Sequence, residues 1–346
     1  MSLVDVHTEW DPLEEIIVGT MAGAQMPLAD RSLLATEYPD IEDPRQIPTG
    51  PYPSHLVEQT EAELEELVDL LTGLGVTVRR PGGRDHKAMV STPDWSTDGC
   101  YDYCPRDGFL AVGDTIIETP MVLRSRFLEG FAYKDLFLEY LESGSRWLSA
   151  PKPQLADSMY EPTAPEGKRL QNLEPAFDAA NVLRFGTDLL YQVSDSGNLL
   201  GARWLQAALG DRYTVHACEG LYASTHIDST IVPLRPGLVL VNPARVNDDN
   251  LPDFLRGWDR IVCPELVDMG YVGDHPKSSI WIGMNFLVVA PGRAIVDKRQ
   301  PGLIRELERH RVEVIPAQLT HSRTLGGGFH CVTLDVRRRG ELATYR

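Results

Sequence analysis

Apolar and polar positions along this chain repeat one arrangement: a short apolar run, a turn, a second apolar run, an amphipathic stretch, and a third short run. The order reads as strand, strand, helix, strand. It is plainest in "GFLAVGDTIIETP", which predicts a hairpin turning at Gly113-Asp114, followed by a helix around Tyr133–Glu142 and the strand "RWLSA". A third unit follows, with "VLRFGTDLLYQV", a helix near Asn198–Leu209 and "YTVHA". The fourth has "STIVPLRPGLVLVNP", turning at Arg235-Pro236-Gly237, a shorter helix from about Pro252 and "RIVCPE". The fifth has "NFLVVAPGRAIVD", a helix near Gly302–His310 and "VEVIP".

The first unit lacks one strand. It offers "EEIIVGT", a helix near Glu58–Thr72 with Leu64, Leu67, Val68 and Leu71 along one face, and "VTVRRP". The C-terminal "CVTLDVRR" can supply the missing strand. The predicted fold is therefore α/β, a five-module ββαβ propeller with pseudo-fivefold symmetry, closed by pairing of the N- and C-terminal segments. One domain would span 1–346, with a proline-rich, irregular rim loop over about 21–54. The competing reading is an open α/β sandwich whose units are alike by accident.

Composition narrows the function. An apolar content of 42% is enough for a large core, and the net charge of -17, with scattered Lys and Arg, argues against nucleic acid as a partner. An acidic field favours small cations. The start of the chain has no apolar signal region, and no apolar run approaches a membrane span, so a cytoplasmic protein without a membrane partner is expected. The five cysteines show neither a CxxC pair nor zinc spacing. No metal or other cofactor is expected.

The reactive residues fall at equivalent places on the repeat. Asp107 precedes the first strand of unit two, Asp178 that of unit three, His226 and Asp228 that of unit four, and Cys331 the strand completing unit one. In a closed ring these positions surround one axis. Cys331 is then a candidate nucleophile, His226 an acid/base, and Asp178 the partner that orients the imidazole. Two further carboxylates, Asp107 and Asp228, match the planar fork of a guanidinium, which points to a substrate such as arginine. Each has a blander reading: a buried thiol, a core histidine, turn-capping aspartates, and Asp107 in a surface pair with Arg106 or Arg124. His330 ranks below His226 as a base, because strand alternation would turn it away from the face of Cys331. The glycines of "LGGGFHC" do not follow a strand and open a helix, so a dinucleotide site is not expected.

The segments "DYCPRDG", "IIETPMVLRSR", "FDAANVLRFG", "STHIDSTIVPLRPGLVLVNPARVN", "SSIWIGMN" and "LGGGFHCVTLDVRRRG" resemble those of amidinotransferases, over nearly the whole chain. "IWIGMN" resembles their aminocyclitol branch. The resemblance implies the five-module ring and transfer of the amidino group from L-arginine to the amine of an aminocyclitol phosphate, in aminoglycoside biosynthesis of the streptomycin type. It implies the same roles for Cys331, His226 and Asp178, places Asp107 and Asp228 on the guanidinium, and adds Arg245, Ser278 and Ser279 at the donor's carboxylate end. A homodimer is a further implication. Arg124 and Arg126 are candidates for the acceptor's phosphate, or for bracing the fold.

Overall fold

A computed structural model describes residues 2–345 as a mixed α/β protein. Among these residues, five three-stranded sheets are built alike, each with an antiparallel pair whose middle strand takes a third strand in parallel. In the second unit Phe109–Val112 pairs with Thr115–Glu118, which pairs with Arg146–Ser149. Val182–Phe185, Asp188–Gln192 and Thr214–Cys218 form the third, and Ile231–Arg235, Leu238–Val241 and Asp259–Val262 the fourth. Leu287–Ala290, Arg293–Asp297 and Glu313–Ala317 form the fifth. The first sheet joins the chain ends: Thr333–Arg338 runs antiparallel to Leu13–Val18, which runs parallel to Thr77–Arg79.

A parallel third strand requires a crossover. Helices Ser54–Gly73, Gly130–Glu142, Leu199–Leu209 and Pro301–Arg309 provide it in four units. The helix expected from Pro252 is only a 3-10 turn at Asp253–Leu255, because most of the connection before it, from Asn242 to Leu251, is spent in turns around Asn242 and Asn247. On Ser54–Gly73 the residues Leu64, Leu67 and Leu71 are buried and Val68 is partly so. Each fully buried leucine contributes about 1.5–3 kcal/mol of transfer free energy. Asn198 caps its helix by accepting from the Gly201 amide. Segment 21–54 is less irregular than its prolines suggest: it holds the helix Arg31–Thr36, capped by Asp30, and a small hairpin of Gln25–Met26 with Gly50–Pro51.

First strands of different units lie against one another, as Thr333–Arg338 does with Phe109–Val112 and Ile231–Arg235 with Leu287–Ala290. Buried ion pairs lock them. Arg184 in unit three meets Glu9 through Nε at 2.7 Å and Asp335 in unit one through NH2 at 2.8 Å, and its NH1 donates to the Ala111 carbonyl of unit two at 2.9 Å. Arg338 of unit one donates to the Val288 carbonyl of unit five at 2.9 Å. Such pairs are costly to bury, and persist here because nearly every polar atom has a partner. No helix among the described residues is long and apolar enough to cross a membrane.

Candidate active site

The backbone around Cys331 is shaped by its three glycines. Gly326 ends the short helix Ser322–Leu325 in the left-handed region, with φ 83°. A Cβ on Gly327 would come within 2.5 Å of the Cys104 sulfur, and one on Gly328 within 2.5 Å of the Asn285 carbonyl oxygen. The run therefore brings two neighbouring segments against the thiol loop more closely than side chains allow.

Asn285 uses that approach. Its Oδ1 accepts from the amides of His330 at 3.1 Å and Cys331 at 3.0 Å, and its Nδ2 donates to Cys331 Sγ at 3.1 Å. Asn285 is not among the expected site residues, although the repeat points to it. It precedes the first strand of unit five, the place occupied by a reactive residue in the other units. Asn285→Ala would leave the buried Cys331 amide without an acceptor and the His330 amide with only the residue's backbone carbonyl, at 3.4 Å. We expect a loss of stability of about 1–3 kcal/mol or more, measured by urea unfolding. An unchanged midpoint would show that water replaces the side chain without cost.

All eight residues singled out for the site line one cavity of about 340 Å³: Cys331, His226, Asp178, Asp107, Asp228, Arg245, Ser278 and Ser279. The volume suits a small polar molecule. Asp107 sits in the turn of helix Pro105–Gly108, Asp178 just before the 3-10 turn Ala179–Asn181, and His226 just before the turn Ile227–Ser229 that holds Asp228. His226 is held from both sides, with Nε2 at 3.0 Å from Asp178 Oδ2 and Nδ1 at 3.5 Å from Asp107 Oδ1. Asp178 is itself anchored by the Val122 amide at 3.1 Å.

Asp107 differs from its surface-pair reading. It is buried and pairs through Oδ2 with Arg126 NH1 at 2.6 Å, while its Oδ1 has no hydrogen-bond partner. That oxygen, approached by His226 Nδ1 only at 3.5 Å, keeps lone pairs that can accept from a substrate. Arg126 is spent: Nε and NH2 meet Glu129, each at 2.8 Å, and NH2 also donates to the Cys104 carbonyl. Arg124 donates to the Leu155 carbonyl and pairs with Asp157 at 2.7 Å. Both arginines brace the fold, and neither offers the free donors a phosphate needs.

His330 also departs from expectation. Strand pairing begins only at Thr333, so alternation does not govern residues 330 and 331. His330 Nδ1 lies 3.0 Å from Asp228 Oδ2, the same oxygen that accepts from Cys331 Sγ at 3.2 Å, and its Nε2 lies 3.3 Å from Glu9. It ties the cavity carboxylate to the central ion pairs.

Arg245 NH1 donates to Ser229 Oγ at 2.9 Å and Thr230 Oγ1 at 3.0 Å, and its guanidinium lies 3.4 Å from the Tyr222 ring centroid. Its NH2 reaches Ser279 Oγ at 3.4 Å. Ser279 caps Ile280–Met284, and Ser278 Oγ donates to the Ser322 carbonyl at 3.4 Å. Burial depresses Arg245's pKa, while Tyr222 and nearby acids oppose the shift.

The protonation pattern follows from packing. The neighbouring Cys104 thiol, burial and Asp228 push the Cys331 thiol well above its ordinary value. Burial opposes a charge on His226, but Asp107, the Asp178 hydrogen bond and Cys331 outweigh it, so the imidazolium is held well above the usual histidine range. Burial likewise opposes ionised Asp228, yet His330 and His226 bring it down to about 2. Burial raises Asp107 against the pull of His226 and Arg126. The cavity thus sets a neutral thiol beside a charged acid and an ionised carboxylate. A guanidinium placed against those carboxylates would favour the thiolate.

No family model matches the chain. It is 72% identical over 347 residues to inosamine-phosphate amidinotransferase 1 of Streptomyces glaucescens, covering 100% of both chains. It is 38% identical to the L-arginine:L-lysine amidinotransferase of Pseudomonas savastanoi pv. phaseolicola, over 98% of this chain and 95% of that one. The solved structure of an inosamine-phosphate amidinotransferase from Streptomyces griseus superposes with a TM-score of 0.99 at 69% identity, over 100% of this chain and 99% of that one. A cavity with thiol, imidazole and carboxylates and full-length kinship at this level lead to one assignment: the chain belongs to the amidinotransferase family, among the inosamine-phosphate amidinotransferases.

Proposed function

We propose that this protein moves the amidino group of L-arginine onto the amine of a phosphorylated aminocyclitol, an inosamine phosphate, releasing L-ornithine through an amidino-Cys331 intermediate. Its place would be aminoglycoside antibiotic biosynthesis of the streptomycin type. The observation that carries the reading is the convergence of Cys331, His226, Asp178, Asp107 and Asp228 on one cavity. Around it we infer a single domain with its five sheets set about a common axis as propeller blades. The contacts between first strands and the pairing of the chain ends support that arrangement.

Arginine enters with its guanidinium toward the free oxygen of Asp107 and toward Asp228, and its carboxylate toward Arg245, Ser278 and Ser279. The cation's charge lowers the Cys331 pKa, and the thiol releases its proton to solvent as the cavity fills. The thiolate attacks the guanidinium carbon. His226, already protonated, gives its proton to the departing nitrogen, the C–N bond breaks, and ornithine leaves. The acceptor amine then attacks the same carbon and passes a proton to His226 as the C–S bond breaks. Asp178 holds the ring in position through both halves. The carboxylates fix a carbon that resonance makes a poor electrophile, so orientation and charge placement supply much of the rate.

Water is the rival nucleophile, and its attack would make the protein an arginine hydrolase. The test is intact-mass measurement after exposure to arginine alone, with ornithine and citrulline assayed with and without the acceptor. A single amidino adduct on the Cys331 peptide, with steady ornithine formation only when the acceptor amine is present, is the expected result. Steady citrulline without acceptor would replace transfer by hydrolysis. Neither adduct nor product would leave only a ligand-binding ring.

A further inference from the structure

The cavity wall carries five carboxylates, Glu37, Asp40, Asp107, Asp178 and Asp228, in a chain of net charge -17. An anionic acceptor can enter such a place only if a cation with unspent donors meets it. Among the described residues, three basic side chains other than His226 line the cavity: Arg126, Arg245 and Lys277. Every guanidinium nitrogen of Arg126 is already directed at Asp107, Glu129 or the Cys104 carbonyl. Arg245 is held by Ser229, Thr230 and the Tyr222 ring, with one nitrogen left toward Ser279.

Lys277 is different. Its side chain is only 6% exposed, and its Nζ makes no hydrogen bond. Glu37 Oε2 stands 3.1 Å away, and that oxygen also lacks a hydrogen-bond partner, so the two are paired by charge but not by geometry. Glu37 caps the C-terminus of the short helix Arg31–Thr36 within segment 21–54. Lys277 also adjoins Ser278 and Ser279 in the chain.

We propose that Lys277 binds the phosphate of the acceptor, together with the Arg245, Ser278 and Ser279 group that the ornithine carboxylate has vacated, and that Glu37 occupies the ammonium until the phosphate displaces it. The proposal rests on the transferase reading above. One cavity serves both substrates in turn, so its anion site must meet first a carboxylate and then a phosphate. A phosphomonoester carries about -1.5 to -2 charges near neutral pH, more than a carboxylate, and needs a further cation. Lys277 remains charged for this purpose: burial opposes its proton, but Glu37 and nearby phenols and thiol outweigh that and hold it well above the usual lysine value. The carboxylate of Glu37 is a stand-in for the anion, on a short helix joined to the sheets by loops.

Two assays separate the halves of the reaction. Exchange of labelled L-ornithine into L-arginine reads the donor half without any acceptor. Transfer to inosamine phosphate reads both. Inorganic phosphate is expected to compete with the acceptor in the unaltered chain; in Lys277→Met the exchange is retained, the KM for inosamine phosphate rises about tenfold or more, and that competition is lost. Lys277→Arg keeps acceptor binding, which shows that charge rather than a special packing is required. An unchanged acceptor KM in Lys277→Met overturns the proposal. So does a parallel loss of exchange and transfer in both variants, which would make Lys277 a brace for segment 21–54. Absence of exchange in the unaltered chain would instead overturn the transferase reading beneath it.

Discussion

Cys331→Ala is expected to abolish both ornithine release and the amidino adduct while the fold persists. The sulfur is the atom that would become covalently bound, and among the described residues no other thiol lines the cavity. Cys104 is buried behind Gly327, with its own pKa raised by burial. Cys100, Cys218 and Cys263 are pushed up to about 12, in each case chiefly by burial. The substitution removes one sulfur from a small polar cluster, and the backbone at 331 keeps its bond to Asn285 Oδ1. Circular dichroism and the unfolding midpoint should therefore stay close to those of the unaltered chain. Full turnover in this variant would remove the nucleophile assignment, since every later step depends on it.

His226→Asn is expected to lower the rate by about 10² to 10⁴. Asparagine can retain a hydrogen bond to Asp178, so the cavity keeps its shape, but it cannot carry a proton to the leaving amine. The pH dependence provides the sharper test. Burial works against a charged His226, but Asp107, Asp178 and Cys331 prevail and hold it well above its ordinary value. Its acid form is therefore present through neutral pH and is lost only as pH rises through that elevated value. In the unaltered chain the donor half-reaction should fall on the alkaline side for this reason, and fall on the acid side as Cys331 is reprotonated. The variant should lose the alkaline limb. If it keeps both limbs and a near-normal rate, His226 is not the proton carrier.

Much of the site is legible in the chain itself, because the repeat fixes position. A reactive residue just before the first strand of one unit implies partners at the same place in the others. That logic locates Asp107, Asp178, His226, Asp228 and Cys331. Carried one unit further it also reaches Asn285, which on its own reads as the start of a strand. His330 is misread for a related reason: alternation does not apply to a residue that precedes the strand. Three other features have no sequence signal. Neither the pairing of Arg126 with Asp107, nor the stacking of Arg245 on Tyr222, nor the facing of Lys277 and Glu37 follows from local spacing, because each joins separate segments of the chain.

The amino-acid order is enough to specify the five units of strand, strand, connection and strand, though not that the fourth connection holds a short turn where the pattern predicts a helix. It also specifies the completion of the first unit by the last strand, and the types of group gathered near Cys331. Those follow from periodicity, turn chemistry and relative position, which are local or repeat along the chain. Which charges are spent and which are free is set by packing: Arg126 satisfied, one oxygen of Asp107 open, His226 charged and Cys331 neutral. Proton affinity depends on burial and on groups within a few ångströms, and those distances exist only after distant segments have been brought together.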